Sequence, residues 1–203
     1  MVMIPSPCGE GEGTVAAGVA ERGAGDDRGM ASTFQRGKVQ LVFGAMDADG
    51  DGALRETDFD ALAGRWASIR AAGDAERLTA IMHGWWITLA ERSRDPESVT
   101  LDDVLTVVDL LGQMPDAVDA TAEAMFDAID EDGDDRISPA EYQRMIEAWN
   151  GSPTDTAVIF ARLDADGDGT VSRTEFIRHW REFWAGDDPT APGTHVFGTP
   201  PTA

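Results

Sequence analysis

Cysteine is nearly absent from this 203-residue chain: Cys8 stands alone, so no intrachain disulfide can form. Positive charge is scarce as well. Lysine occurs once, as Lys38, and 16 basic residues face 38 acidic ones for a formal net charge of -22. This balance argues against nucleic acid and anionic membrane as partners, because both are held by Lys and Arg neutralising phosphate. No apolar run approaches the roughly 18 residues that a membrane span needs. The N-terminus has no basic start followed by an apolar core, so secretion is not indicated and a cytoplasmic location is expected. Strand-forming alternation and β-α-β patterning are also missing, which leaves an all-α reading.

Hydrophobic residues make up 42% of the chain and include six Trp, which argues for a packed core rather than a disordered acidic polymer. The carboxylates are concentrated: the twelve-residue segments 47–58, 130–141 and 164–175 hold fifteen of the 38 acidic residues. Apolar residues recur at helical spacing on both sides of each segment. Val39, Val42, Phe43 and Met46 enter the first; Phe59, Leu62, Trp66 and Ile69 leave it. Val118, Ala122, Met125, Phe126 and Ile129 enter the second, and Tyr142, Met145, Ile146 and Trp149 leave it. Phe160 and Leu163 enter the third, followed by Phe176, Trp180, Phe183 and Trp184. One more stripe, Leu78, Ile81, Met82, Trp85, Trp86 and Leu89, has no acidic loop after it. At the ends, residues 1–30 read as a disordered leader, with Met30 as an alternative translation start. The tail 186–203 holds four of the ten Pro and reads as flexible.

Each acidic segment has the spacing of a loop that wraps a divalent cation. Calcium takes six to eight oxygens at roughly 2.3–2.6 Å, and a twelve-residue loop supplies them from positions 1, 3, 5, 7, 9 and 12. Position 7 offers its carbonyl, position 12 a carboxylate, and position 6 makes a sharp turn that favours glycine. In 164–175, DADGDGTVSRTE, the candidate ligands are Asp164, Asp166, Asp168, Thr170 and Glu175, with Gly169 at the turn. In 130–141, DEDGDDRISPAE, they are Asp130, Asp132, Asp134, Arg136 (by its carbonyl) and Glu141, but Asp135 stands where glycine is expected. In 47–58, DADGDGALRETD, they are Asp47, Asp49, Asp51, Ala53 and Asp58. This loop departs twice, ending in Asp rather than Glu and carrying Arg55 at position 9. Both departures lower calcium affinity, and the shorter carboxylate leaves magnesium as a candidate occupant. Two or three calcium ions per chain are expected.

Repeated units of helix, acidic loop and helix are the organisation of EF-hands, which pair through the residue at loop position 8. Ile137 and Val171 are expected to pair in a C-terminal lobe, 114–185, and Leu54 needs a partner in an N-terminal lobe, 31–113. The stretch ERSRDPESVTLDDV offers Val99, which places Asp103 at position 12 but Arg92 and Arg94 at positions 1 and 3. This degenerate loop, about 90–103, is read as a pairing scaffold without an ion.

From Thr33 to Trp184, about three quarters of the chain, the sequence resembles calerythrin and the sarcoplasmic calcium-binding proteins. That resemblance implies a compact all-α protein of two paired-EF-hand lobes with a degenerate second hand. It also implies calcium buffering or signalling without catalysis. The aromatic stripes favour a closed buffer, while a calmodulin-like sensor with an apolar groove for a protein target stays open. No catalytic residue or organic cofactor is indicated, since His83, His179 and His195 lack a nucleophile or ligand partner at motif spacing. A monomer is expected.

Overall fold

The computed structural model describes residues 31–69 and 75–198. The expected leader and the alternative start at Met30 lie outside the described residues. Eight α-helices run in order among them: α1 Thr33–Met46, α2 Glu56–Ile69, α3 Ala75–Ala90, α4 Leu101–Leu111, α5 Pro115–Ile129, α6 Pro139–Asn150, α7 Ala157–Leu163 and α8 Arg173–Trp184. Two short strands, β1 Arg136–Ile137 and β2 Val171–Ser172, lie inside the second and third acidic loops.

Local chemistry sets the helix starts. Thr100, Ser138 and Ser172 cap α4, α6 and α8, and each forms a reciprocal capping box with the carboxylate three residues on, Asp103, Glu141 or Glu175. These are loop positions 9 and 12, so one carboxylate both closes the loop and starts the exit helix. Position 9 of the first loop is Arg55, which has no side-chain oxygen, and only its backbone N–H reaches Asp58, at 2.8 Å.

The loops join in pairs. β1 and β2 run antiparallel with Ile137 opposite Val171. Leu54 and Val99 form the matching bridge, Leu54 N–H donating to the Val99 carbonyl at 2.8 Å and Val99 N–H to the Leu54 carbonyl at 2.9 Å. All four side chains are buried. α2 packs on α3 and α5 on α8, while α1 and α2 meet α6 and α3 meets α5, so one core runs through both pairs. Its centre is aromatic. Trp85 of α3 lies against Trp149, Trp180 and Trp184, with ring centroids 5.9, 6.0 and 6.4 Å apart. Trp66 is 1% exposed, and truncating such a side chain to Ala costs on the order of 3–5 kcal/mol. Ile69, expected on the apolar face of α2, instead ends that helix 37% exposed.

Two features depart from a reading by segments. Lys38 is wholly buried in α1, where its Nζ donates to the carbonyls of Glu182, Phe183 and Gly186 at 3.1, 2.7 and 2.7 Å. It therefore caps the C-terminal end of α8, where unpaired carbonyls concentrate negative charge. Burial, partly offset by Asp187 and Glu182, brings its amine down to about 8. The tail also differs from expectation: among its described residues, 186–198 do not hang free. A 3-10 turn at Pro192–His195 packs on α8, and Val196 and Phe197 are buried. Tyr142 donates to the Val196 carbonyl at 3.1 Å, and Phe197 sits 4.8 Å from Trp149 and 4.9 Å from Phe183. Proline content suggested mobility, but one Val-Phe dipeptide offers enough apolar surface to anchor the segment. Gly193 is required there, because a Cβ would lie 2.3 Å from the His179 carbonyl oxygen.

Candidate metal centres

In each acidic loop the entering helix ends by turning the N–H of position 1 back to the aromatic residue four before it. Asp47, Asp130 and Asp164 donate to the carbonyls of Phe43, Phe126 and Phe160, all at 2.9 Å. The position-1 carboxylate then gathers the loop backbone. Asp164 accepts from the N–H groups of Gly167, Asp168 and Gly169 at 2.8, 3.1 and 2.9 Å. Asp130 accepts from Gly133, Asp134 and Asp135, and Asp47 from Gly50, Asp51 and Gly52, in the same pattern. Position 7 is tied to position 5: Ala53, Arg136 and Thr170 donate their N–H to Asp51, Asp134 and Asp168 at 3.0, 2.9 and 2.9 Å.

Position 12 closes the loop onto position 2. Glu141 accepts from Glu131 N–H at 2.8 Å, Glu175 from Ala165 N–H at 3.0 Å, and the shorter Asp58 from Ala48 N–H at 3.1 Å. Burial pushes the Glu141 and Glu175 carboxyls up, but the bonds from Ser138 and Ser172 outweigh it and hold both below the usual range. These hydrogen bonds converge the carboxylates. Oxygens of Asp47, Asp49 and Asp58 lie within 4.8 Å of one another, as do those of Asp130, Asp132 and Glu141, and those of Asp164, Asp166 and Asp168. Asp51, Asp134 and Glu175 stand at their loop positions but outside these tight triads. Three carboxylates so close repel one another, and a divalent cation relieves the repulsion. Oxygen-only donors of this kind suit calcium or magnesium.

Arginines modify every loop; linear spacing revealed Arg55 and Arg94 but not the reach of Arg136 and Arg173. Arg55 holds Asp51 at 2.5 Å, and its hydrogen bond lowers that carboxyl. Arg136 reaches across to Asp168 at 2.6 Å; the Thr170 hydroxyl and then Arg136 hold Asp168 below its ordinary value. The last loop, complete by spacing, thus shares one carboxylate with a guanidinium from its neighbour. Arg173 lies over the Phe126 ring at 4.2 Å and bonds Glu123, Asp127 and Asp135. It steadies Asp135, whose φ of 65° is the one positive value at a non-glycine among the described residues. In the degenerate loop, Arg94 Nε donates to Asp103 at 3.2 Å, so a side-chain cation meets the carboxylate of position 12.

Comparison with known proteins agrees with this geometry. Residues 119–181 match the EF-hand domain pair family. Those residues form an EF-hand pair, and the three carboxylate clusters along the chain suit calcium. A luciferin-binding protein of Renilla reniformis is 27% identical over 188 residues, covering 79% of this chain and 91% of its own. A calcium-binding protein of Streptomyces coelicolor has a solved structure with TM-score 0.59 and 26% identity, covering 76% of this chain and 99% of its own. A sarcoplasmic calcium-binding protein from amphioxus superposes with TM-score 0.60 at 17% identity, over 84% of this chain and 99% of its own. The fold of the chain is that of the compact sarcoplasmic type. No helix among the described residues is long and apolar enough to cross a membrane.

Proposed function

We propose that this EF-hand protein is an intracellular calcium buffer. Its ligands are Asp164, Asp166, Asp168, the Thr170 carbonyl and Glu175 in one loop, and Asp130, Asp132, Asp134, the Arg136 carbonyl and Glu141 in its partner. The weaker first loop uses Asp47, Asp49, Asp51, the Ala53 carbonyl and Asp58, shared between calcium and magnesium. The observation that carries the buffer reading is the internal position of the apolar faces. Large exposed hydrophobics among the described residues are Ile69, Ile87, Leu110 and Val158, scattered rather than joined in a groove. A calmodulin-like sensor instead opens an apolar groove on binding calcium. Calorimetric calcium titration, with and without magnesium, should give two or three ions per chain with little change in binding of an apolar dye. Strong calcium-induced dye binding, together with affinity for an amphipathic peptide, would replace the buffer by a sensor. No binding up to millimolar calcium would remove both.

A second reading is favoured by one observation, an apolar cavity of about 120 Å³ between the helix pairs. It supports a chain that binds calcium and also carries a small apolar molecule, as the name of the luciferin-binding relative says of that protein.

A further inference from the structure

Resting on the calcium-buffer reading, we propose that the C-terminal segment 186–198 is a latch that tightens the calcium loop 164–175, with His179 and Glu182 as the positioning residues between them. His179 stands four residues after position 12 of that loop. The equivalent positions in the other three hands are Leu62, Val107 and Met145, all apolar and buried. His179 is wholly buried yet polar, and burying an imidazole is costly unless its nitrogens find partners. Both do. Nε2 donates to the Leu163 carbonyl at 2.7 Å, and Nδ1 faces Glu182 Oε2 at 3.3 Å.

Leu163 ends α7, immediately before Asp164 at loop position 1. α7 has seven residues, against fourteen in α1 and fifteen in α5, and so short a helix depends on tertiary contacts. By capping a carbonyl at the C-terminal end of α7, His179 ties the entry of the loop to its exit helix. Glu182 extends these bonds to the tail, because the same Oε2 accepts from Gly193 N–H at 2.8 Å. The tail backbone lies directly on α8 there, with no room for a Cβ at Gly193, and buried Val196 and Phe197 hold it down. A docked tail thus fixes Glu182, Glu182 fixes the imidazole, and the imidazole fixes α7 against α8. Holding the two helices in advance lowers the ordering cost that cation binding must meet. By linkage, calcium in this loop tightens the tail by the same factor.

The test is calorimetric calcium titration of the full chain, with the other loops silenced by Asp58→Asn and Glu141→Gln. Hydrogen exchange of the native chain, which needs no substitution, accompanies it. Gly193→Ala lifts the tail, because the new Cβ would lie 2.3 Å from the His179 carbonyl oxygen. His179→Gln keeps a donor for the Leu163 carbonyl and loses the one facing Glu182. Each should lower calcium affinity at 164–175 roughly fivefold or more, and the double variant no further, because both cut one pathway. In the native chain calcium should slow exchange of the Gly193 amide by a comparable factor. Additive losses would mean separate packing defects, or coupling through the 3.2 Å contact of Arg162 with His195, and would overturn the relay. Unchanged affinity in Gly193→Ala, or Gly193 exchange insensitive to calcium, would overturn the latch and leave the buffer reading intact. A native 164–175 loop that binds no calcium would remove both.

Discussion

Replacing Val99 with proline tests whether the degenerate loop supports the first calcium loop. In the native chain Val99 N–H donates to the Leu54 carbonyl at 2.9 Å and the return bond is 2.8 Å. Proline removes the first donor, leaves the Leu54 carbonyl without it, and pushes Ser98 to extended backbone. The loss is about 1–3 kcal/mol, since an unsatisfied buried acceptor costs that much. For a chain of this size it lowers Tm by about 2–12 °C. Val99→Ala is the control: it keeps both backbone bonds and loses only buried methyl groups, on the order of 2 kcal/mol. The assay is calorimetric calcium titration of the first loop, with the others silenced by Glu141→Gln and Glu175→Gln, beside thermal unfolding. Val99→Pro should weaken calcium binding at 47–58 as well as stability, whereas Val99→Ala should lower stability alone. A Val99→Pro chain with an unchanged isotherm and a Tm within about 1 °C of native would refute the reasoning.

Asp58→Glu should raise calcium affinity at 47–58 and reduce competition by magnesium, because the longer carboxylate can give two oxygens; an unchanged or lower calorimetric affinity would count against it. Glu175→Gln alone should remove about one calcium from the stoichiometry, as seen by titration of Trp fluorescence, by weakening the loop whose exit helix it also caps. Lys38 gives a pH signature: its folded value of about 8 lies below the ordinary 10.5, so the unfolded chain holds the extra proton between them and stability rises with pH across that interval. Lys38→Met should flatten the rise in urea midpoints. The comparison is read below pH 10, because burial raises the Tyr142 hydroxyl above its ordinary 10.0 and makes higher pH destabilising. A native chain already flat from pH 8 to 10 would contradict this account of the lysine.

What the sequence determined by itself is local. Carboxylates at alternate loop positions, a turn residue between them and Ser-x-x-Glu at the exit act over twelve residues, so spacing alone placed the loops, the helix starts and the all-α organisation. Pairing of Leu54 with Val99 was legible too, because each loop offers one apolar residue at one fixed position. Tertiary structure decided what depends on distant residues meeting. Arg136 reaches Asp168 across 32 positions, Lys38 caps α8 across some 145, and Val196 and Phe197 close a tail whose composition suggested mobility. The cavity belongs to this second class: its walls come from five helices, and no window of sequence contains the space between them. Ligand spacing is a property of one short segment, whereas packing and long-range charge pairing exist only once the chain has closed on itself.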